Sequence, residues 1–537
     1  MSLLTIENLA VSIGGTPILK GIDLAVNAGE VLGIIGESGS GKSMTALATL
    51  QLLPEAARAT GAIRFEGTDL MTLDDRAMRA IRGGRIGMVF QEPMTALNPV
   101  KTIGDQVAET ARLHGGLSHK AALAVARQTL DRVELPAPRF GLGLYPHELS
   151  GGQRQRVVIA MAIAMRPKLL IADEPTTALD VTTQAQILKL LERLVREDGM
   201  GMLFISHDLG VVAGLADRVA IMRAGEVVEQ GPTLGLFRAL QHPYSQALLS
   251  ASSHQPQRHP TPPPDAEPVL AIEGAVRTYP LPRSGFWGKP RHFTAVKGVS
   301  LMVRRGENIG LVGESGCGKS TLARAIMALD PLEGGRISIA GKPLSKKGAD
   351  FATRRNLQVV FQDPYGSFNP RHRVDRLVGE PFHLLGSAAP EGPERTRRIG
   401  KALSEVGLTP ADAEKYIHEF SGGQRQRIAI ARALILEPSL IILDEAVSAL
   451  DVSIRAQILD LLADLSIRLG VSYLFISHDL SVVRAITDRV LVMKAGEIVE
   501  EGETERVFTA PNHPYTRELL AATPNVEAAL KAREARP

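Results

Sequence analysis

Two eight-residue segments of this chain combine glycine, lysine and serine at a spacing that binds phosphate. They read Gly-Glu-Ser-Gly-Ser-Gly-Lys-Ser from position 36 and Gly-Glu-Ser-Gly-Cys-Gly-Lys-Ser from position 313, so both fit the pattern G-x-x-x-x-G-K-[ST]. In such a loop, backbone N–H groups and a helix N-terminus surround phosphate oxygens. We therefore expect two nucleotide sites, lined by Gly36, Glu37, Ser38, Gly39, Ser40, Gly41, Lys42 and Ser43 and by Gly313, Glu314, Ser315, Gly316, Cys317, Gly318, Lys319 and Ser320.

The last two residues of each loop carry the side-chain chemistry. Lys42 and Lys319 are expected to contact the β- and γ-phosphates of ATP and to assist catalysis. The hydroxyls of Ser43 and Ser320 are placed to hold Mg²⁺, which neutralises charge on the transferred group. A single match could be an accident, but two matches followed by the same order of motifs make accident negligible.

Acidic pairs and histidines follow each loop in the same order. The pairs are Asp173-Glu174 and Asp444-Glu445, and both follow short apolar runs that are typical of buried strands. We expect both aspartates to bind Mg²⁺ and both glutamates to orient or deprotonate the attacking water. The histidines occur in two copies of Phe-Ile-Ser-His-Asp, where an imidazole could contact the γ-phosphate, and they are His207 and His478.

Two further motifs complete each set. A glutamine after an apolar strand, Gln91 or Gln362, could join the Mg²⁺ shell or hold a water. The string Ser-Gly-Gly-Gln-Arg-Gln-Arg predicts a serine-capped helix whose N-terminus binds an anion. Its residues are Ser150, Gly151, Gly152 and Gln153 in one copy and Ser421, Gly422, Gly423 and Gln424 in the other. All motifs after the loops are offset by 271 positions between the two copies.

The length and composition of the chain exclude several classes of protein and of site. The 537 residues are too many for one ordinary core, and 61 basic against 58 acidic residues do not demand a nucleic-acid partner. A single cysteine, Cys317, excludes an internal disulfide, a four-cysteine zinc site and a cysteine-bound iron-sulfur cluster. The apolar runs are too short to cross a bilayer, and the first residues lack a secretory pattern, so we expect a cytoplasmic protein.

The repeat predicts two α/β domains, with strands alternating with helices. Apolar strands are expected at 31–35, 86–90, 169–172 and 202–205, and at 308–312, 357–361, 440–443 and 473–476. We place domain 1 at 1–250, a proline-rich extended linker at 251–268, domain 2 at 269–525 and a tail at 526–537. Helical subdomains are expected at about 92–165 and 363–436, and an exposed loop near 280–292.

These motifs together resemble the ATP-binding cassette (ABC) ATPases, over nearly all of both halves. The resemblance implies two tandem P-loop domains, each with a mixed sheet and a helical subdomain, that pair head to tail. Lys42 would then share a site with Ser421, and Lys319 with Ser150. ATP would close the pair, and hydrolysis would drive two transmembrane permease subunits through the segments after Gln91 and Gln362.

The glutamine segments, which end in Asn-Pro, are similar to those of dipeptide, oligopeptide and nickel importers. So are His242-Pro-Tyr244 and His513-Pro-Tyr515, which are again 271 positions apart. The fused tandem form is similar to the Yej-type peptide importer and to the glutathione importer, and we favour the Yej type. The resemblance implies a peripheral ATPase at the cytoplasmic face of the inner membrane that works with a peptide-binding protein.

The sequence departs from the family pattern in three places. Tyr279 fits the place of an aromatic that stacks on adenine, but the first half offers Ile13 there. Cys317 replaces Ser40 inside the second loop, and we expect a bulky thiol reagent to block that site. Ala446 and Val447 follow the second glutamate where the first copy has Pro-Thr, so the two sites could be tuned differently.

Two alternatives remain open from the sequence. Tandem cassettes also occur in soluble ATPases that act on ribosomes or DNA, although the short linker and single cysteine speak against their usual charged linkers and zinc modules. Within transport, the cargo could instead be glutathione, nickel or a sugar, because the ATPase does not touch it.

Overall fold

The apolar run before each phosphate loop forms a buried central strand. A computed structural model describes residues 2–91, 96–177, 179–257, 262–263, 265–281, 291–344, 349–363, 365–448 and 450–535. The chain divides into two units: the first comprises Met1–Ser252 together with Pro524–Pro537, and the second comprises Ser253–Thr523.

Within its described residues, the first unit has ten strands in two sheets. The four-stranded sheet has the antiparallel order β2-β1-β4-β5 and the six-stranded sheet the order β10-β9-β3-β8-β7-β6, parallel except for the β9/β10 pair. The strands are β1 (Ser2–Ile13), β2 (Thr16–Asn27), β3 (Val31–Ile35), β4 (Ala57–Phe65), β5 (Thr68–Asp69), β6 (Ile86–Val89), β7 (Leu169–Asp173), β8 (Gly201–Ile205), β9 (Arg218–Arg223) and β10 (Glu226–Pro232).

Helices surround these sheets and form the region between β6 and β7. They are α1 (Lys42–Thr49), α2 (Asp75–Ile81), α3 (Ile103–Gly115), α4 (His119–Arg132), α5 (Gly151–Ile163), α6 (Val181–Asp198), α7 (Leu209–Leu215), α8 (Thr233–Arg238) and α9 (Pro243–Ser252), with 3-10 turns at Leu70–Thr72 and Pro146–Glu148.

The second unit repeats this plan. Its sheets have the orders β12-β11-β14-β15 and β16-β17-β18-β13-β19-β20. The strands are β11 (Pro268–Leu281), β12 (Arg291–Arg304), β13 (Asn308–Val312), β14 (Gly334–Ile339), β15 (Lys342–Pro343), β16 (Leu357–Val360), β17 (Leu440–Asp444), β18 (Ser472–Ile476), β19 (Arg489–Lys494) and β20 (Glu497–Glu503).

Its helices are α10 (Lys319–Ile326), α11 (Phe351–Asn356), α12 (Val374–Val378), α13 (Gly392–Glu405), α14 (Gly422–Leu434), α15 (Val452–Leu469), α16 (Leu480–Ile486), α17 (Thr504–Thr509) and α18 (Pro514–Ala522), with 3-10 segments at Glu380–Ala388, Pro410–Glu414 and Ile417–Glu419. A last helix, α19 (Val526–Glu534), follows in the chain but belongs to the first unit.

All eight predicted apolar strands are present within one or two residues of their expected bounds. Strands β3, β8, β13 and β18 are buried at every residue, as strands covered on both faces must be. Parallel strands end at the same edge of a sheet, so the loops that follow β3, β6, β7 and β8 meet there. The motif residues are therefore brought to one edge in each unit.

The stretch near 280–292 was expected to be an exposed loop, and the described residues at its two ends are paired strand residues. Pro280 pairs with His292 and Leu281 with Arg291, at the ends of β11 and β12. The intervening residues 282–290 lie outside the described ranges.

Candidate ATP-binding and hydrolysis site

The phosphate loop of each unit leads directly from a buried strand into a helix. Helices α1 and α10 begin at Lys42 and Lys319, as predicted, and follow a glycine in the left-handed region, Gly41 at φ 103° and Gly318 at φ 114°. A Cβ at Gly36 would lie 2.2 Å from the carbonyl oxygen of Met222, so any side chain there would collide with the neighbouring strand β9. The tight loop therefore requires glycine at its first position.

The lysine of each loop is buried and turned back onto the loop. Lys42 Nζ donates to the carbonyl oxygens of Gly36 at 2.8 Å and Glu37 at 2.9 Å. Lys319 repeats this with Gly313 at 2.7 Å and Glu314 at 2.8 Å. The ammonium group is thus held inside the curve of the loop, where a phosphate would approach it.

A hydroxyl and a carboxylate meet at the edge of the first unit's sheet. Ser43 Oγ donates to Asp173 Oδ1 at 3.1 Å, and Asp173 is the last residue of β7. Burial raises the pKa of Asp173, with Glu174 adding to the rise, while Ser43 and Lys42 lower it. Burial and the neighbouring Glu445 likewise raise the pKa of Asp444. Hydroxyl and carboxylate oxygens are the hard ligands that Mg²⁺ prefers, so this pair fits the ion.

The two glutamates hold a strained backbone conformation. Glu174 has φ 47° and Glu445 has φ 50°, in the left-handed region that non-glycine residues rarely adopt. Their backbone N–H groups donate to the carbonyl oxygens of Ile205 at 2.9 Å and Ile476 at 2.8 Å. This conformation turns each carboxylate away from the strand path and toward the histidine that follows β8 or β18.

Each glutamate contacts the histidine of the Phe-Ile-Ser-His-Asp segment in its own unit. His207 Nδ1 lies 3.2 Å from Glu174 Oε2, and His478 Nδ1 lies 3.2 Å from Glu445 Oε1. Burial pushes the pKa of both glutamates upward, but the histidine hydrogen bond and charge outweigh it and the net pKa is lowered. The carboxylates are therefore ionised at neutral pH, as a group that orients or deprotonates water must be.

The surroundings of the two glutamates differ. Glu174 Oε2 also accepts from Thr177 Oγ1 at 2.9 Å and from Gln91 Nε2 at 3.0 Å. At the position equivalent to Thr177, the hydroxyl of Ser448 instead donates to the backbone carbonyl of Glu445 at 2.8 Å. The sequence difference after the acidic pair thus becomes a difference in how the carboxylate is held.

The glutamines follow the strands predicted for them. Gln91 is exposed two positions after β6 and contacts the glutamate rather than the serine and aspartate that suit Mg²⁺. Gln362 is exposed at the corresponding place after β16. Residues 92–95 lie outside the described ranges.

The serine-glycine-glycine strings form capped helices, as predicted. Ser150 N donates to Gln153 Oε1 at 2.9 Å and Gln153 N to Ser150 Oγ at 3.4 Å, which is a capping box. Ser421 and Gln424 repeat these bonds at 3.0 Å and 3.4 Å. Each unit therefore presents a second ordered helix N-terminus that suits an anion.

Two predicted residues of the second site have specific surroundings. Tyr279, half-buried at the end of β11, donates its hydroxyl to Asp330 Oδ2 at 3.1 Å, and the Arg277 guanidinium lies 4.8 Å from its ring centroid. Cys317 is 7% exposed, and Lys319 Nζ lies 3.8 Å from its Sγ. Burial raises the pKa of this thiol despite the nearby lysine.

Two tyrosines that were not predicted as site residues contact the phosphate loops. Glu37 N donates to Tyr244 Oη at 3.1 Å, and Glu314 N donates to Tyr515 Oη at 3.0 Å. Arg223 and Lys494 lie over the two rings, 5.0 Å and 4.4 Å from the ring centroids. The in-register recurrence of His-Pro-Tyr was the signal that could have identified these tyrosines.

A glutamate of the neighbouring strand fixes each His-Pro-Tyr element. Glu229 accepts from the backbone N–H groups of Gln241 at 2.8 Å and His242 at 3.2 Å. Glu500 does the same for Asn512 at 2.7 Å and His513 at 3.1 Å. Burial raises the pKa of each glutamate, but the hydrogen bonds from these backbone N–H groups outweigh it, and the net pKa is lowered.

Across the helices of the described ranges, none combines the length and the apolar character that a bilayer-spanning segment needs.

Comparisons with known proteins find family matches in both halves of the chain. A family model described as ABC transporter matches residues 19–177 and 296–448. A second, described as oligopeptide/dipeptide transporter, C-terminal region, matches residues 228–270 and 499–537. The His-Pro-Tyr elements with their tyrosines lie inside the second pair of matches.

Relatives align along nearly the whole chain. The glutathione import ATP-binding protein GsiA of Escherichia coli O157:H7 is 48% identical over 543 residues, covering 95% of this chain and 87% of that protein. GsiA of Salmonella typhimurium (strain LT2) is 47% identical over 540 residues, covering 94% and 86%. A solved structure of cbiO1 from Clostridium perfringens is 30% identical, covers 45% of this chain and 92% of its own, and has a TM-score of 0.39.

Each phosphate loop holds its own lysine, and each histidine lies beside an ionised glutamate. Because the family matches cover both halves as well, this chain belongs to the ABC transporter family of ATP-binding proteins and is an ATPase.

Proposed function

We propose that this chain is the ATP-hydrolysing subunit of an ABC importer that carries peptides, with glutathione as the first cargo to test. The observation that carries the proposal is the contact between each phosphate loop and the tyrosine of a His-Pro-Tyr element. That element lies in the region matched by the oligopeptide/dipeptide transporter model, so the part typical of peptide importers is built into both ATP sites. Similarity to glutathione import proteins over 94% and 95% of this chain supports the choice of cargo.

We assign ATP with Mg²⁺ as the species that each unit binds. Ser43 with Asp173, and Ser320 with Asp444, would hold the ion, and their hard oxygen donors fit it. Bound Mg²⁺ would neutralise charge on the phosphoryl group during transfer. Lys42 and Lys319 would exchange their present loop carbonyls for phosphate oxygens. Gln91 and Gln362 remain candidates for the ion's shell or for an ordered water.

Glu174 and Glu445 would act on the attacking water. Each carboxylate is ionised, follows its aspartate directly and is fixed by a histidine. We assign the γ-phosphate as the nucleotide group that His207 and His478 contact. The histidine would then link the state of the phosphate to the position of the base.

Two composite sites are proposed, each shared between the units. Lys42 would act with the helix N-terminus at Ser421 to Gln424, and Lys319 with that at Ser150 to Gln153. Two complete motif sets in one chain, each with a capped signature helix, support this arrangement. Tyr279 would contact the adenine of the second loop's nucleotide, whereas Ile13 offers the first a poorer surface.

The partners we propose are two transmembrane permease subunits and, through them, a peptide-binding protein outside the membrane. ATP would bring the units together, and hydrolysis would transmit movement through the helical regions after Gln91 and Gln362. The chain would then lie at the cytoplasmic face of the inner membrane, held by the permease.

A transport assay tests this function. The chain is reconstituted in proteoliposomes with two permease subunits and a peptide-binding protein, and ATP-dependent movement of labelled glutathione and of a labelled tripeptide is measured. We expect transport of at least one, abolished in the Glu174→Gln/Glu445→Gln variant. If the vesicles hydrolyse ATP but take up neither glutathione nor the tripeptide, the peptide cargo is refuted. Nickel or a sugar would then be tried in the same vesicles. Binding to ribosomes rather than to the permease would refute the transport role altogether.

A further inference from the structure

The end of the chain folds into the first unit, although it follows the second unit in sequence. Residues Pro524–Pro537 group with Met1–Ser252, whereas Ser253–Thr523 form the second unit. The chain therefore passes between the units twice, once at Ser252 and once at Thr523. Helix α19 is the folded part of this returning segment.

Helix α19 packs on α7, the helix that begins two residues after His207. Leu530 is 2% exposed in this contact. Arg533 donates from Nε to the carbonyl oxygen of Ala213 at 2.7 Å and from Nη2 to that of Gly214 at 3.1 Å. These are carbonyls near the C-terminal end of α7, where a helix leaves acceptors unpaired and favours a positive charge.

The entry to α19 requires a glycine on α7. A Cβ at Gly210 would lie 2.9 Å from Asn525 N and 2.9 Å from the carbonyl carbon of Pro524. Contacts this short involve backbone, which cannot rotate away as a side-chain tip can. Any larger residue at this position would push the returning segment off α7.

Charge complementarity fixes the other side of α19. Arg238 on α8 lies 3.3 Å from Glu527 and 3.1 Å from Glu534, the carboxylates near the two ends of α19. All three side chains are partly exposed, so these pairs orient the helix more than they stabilise it.

The internal repeat shows that this surface is special to the first unit. Shifting each position by 271 places Ser481 at Gly210, Arg484 at Ala213, Glu505 at Leu234 and Thr509 at Arg238. In the second unit Arg484 and Glu505 form an ion pair with a 2.8 Å contact, on the face that α19 covers in the first. Gly210 is buried and Ser481 is exposed. The first unit thus has glycine, alanine, leucine and arginine where the second unit has serine, arginine, glutamate and threonine. These small, apolar and basic residues suit the docking of α19.

We propose that residues 524–535 are an intramolecular clasp, which the end of the chain supplies to hold the helix that follows His207. The first site depends on this clasp, whereas the second site, whose equivalent helix carries its own ion pair, does not. The inference is independent of the cargo proposed above.

Hydrogen exchange on the full-length chain tests the clasp, with Leu530→Asp as the disrupting variant. A nine-residue helix is only marginally stable in isolation, so protection of amides 528–534 reports docking. We expect this protection in the unaltered chain and its loss in the variant, together with exchange about tenfold or more faster across 209–216. Peptides across 480–487 serve as the internal control and keep their rates.

The matched control is Ala532→Asp, which places the same charge on an exposed position of the same helix. It should leave exchange across 209–216 unchanged. A chain that ends at Thr523 should reproduce the Leu530→Asp pattern, and protection of the buried strand β3 verifies that the first unit remains folded. The clasp would be contradicted if amides 528–534 exchanged without protection in the unaltered chain. It would also be contradicted if Leu530→Asp changed exchange equally in 209–216 and 480–487, or changed it in neither.

Discussion

The phenolic oxygen of Tyr244 accepts a 3.1 Å hydrogen bond from the backbone N–H of Glu37, although 207 positions separate the two residues. Tyr515 and Glu314 repeat this bond in the second unit at 3.0 Å. The acceptor comes from a helix start in the C-terminal region of each cassette, and the donor is the second residue of a phosphate loop. The loop's shape thus depends on an element outside the nucleotide-binding motifs.

Replacing Tyr244 and Tyr515 by phenylalanine should weaken ATP binding while preserving ring packing. One net hydrogen bond contributes about 0.5–1.5 kcal/mol, so we expect a Kd about 2- to 10-fold higher at the altered site, measured by titration with a fluorescent ATP analogue. Tyr473→Phe is the control, because it removes a buried hydroxyl that has no hydrogen-bond partner within the described residues. Equal effects of all three changes would contradict a specific role for the loop contact.

Replacing Glu174 and Glu445 together by glutamine should leave ATP bound but scarcely hydrolysed. Glutamine keeps the shape of the side chain and cannot accept a proton from water, and a general base contributes about 100-fold or more to the rate. Steady-state phosphate release and retained radiolabelled ATP measure the two effects. Substantial turnover in the double variant would overturn the role assigned to these carboxylates.

Thr177→Val should impair the first site more than Ser448→Ala impairs the second. The Thr177 hydroxyl donates to the Glu174 carboxylate, whereas that of Ser448 donates to a backbone carbonyl. A hydrogen bond to a charged group contributes about 1.5 kcal/mol, so kcat should fall by about tenfold in the first variant and by less in the second. Equal losses of kcat would show that the two hydroxyls are interchangeable.

The carboxylates of Glu229 and Glu500 should contribute stability only above acidic pH. Their folded pKa values lie below the ordinary value of 4.5, because the charged form accepts backbone N–H bonds that outweigh burial. Their contribution is therefore complete above pH 4.5 and is lost as the pH falls through the lower, folded pKa. Glutamine at both positions should lower Tm at pH 7, and the difference from the unaltered chain should shrink below pH 4.5.

Glu226→Gln with Glu497→Gln is the matched control for that pH series. These glutamates lie on the same two strands, are exposed and pair with Lys20 and Lys297 at 3.6 Å and 3.8 Å. Exposed pairs of this kind contribute little, so Tm should hardly change. A constant Tm difference for Glu229→Gln/Glu500→Gln at every pH would contradict the assigned titration.

Cys317 should react slowly with thiol reagents at neutral pH. Burial raises the pKa of the thiol above its ordinary 9.0, so the thiolate is scarce at pH 7 and its fraction grows about tenfold per pH unit. The rate of labelling by a bulky maleimide should therefore rise about tenfold per pH unit. MgATP should slow the labelling. Stoichiometric labelling should abolish ATP binding at the second loop. Cys317→Ser, which recreates the first loop, should be insensitive, and full ATPase activity after stoichiometric labelling would refute the expectation.

Much of the fold followed from local chemistry. Apolar runs of four or five residues predicted the strands that precede the phosphate loops and the aspartates, because such composition is typical of buried strands. A serine three residues before glutamine predicted the capped helices at Ser150 and Ser421, since that bond is made between near neighbours in the chain. The pairing of Pro280 with His292 and of Leu281 with Arg291 was not predicted, because composition does not specify the register of strand pairing.

The sequence by itself predicted the two sets of ATP-site residues, because a glycine-rich turn with its lysine, and a carboxylate at the end of an apolar strand, are each recognisable from a few neighbouring residues. Only the tertiary structure decided which partners those residues take. The tyrosines on the phosphate loops, the histidine on each glutamate and the return of α19 to Gly210 all join positions far apart in the chain. Such contacts depend on how strands and helices pack in three dimensions, and spacing along the sequence carries no measure of that.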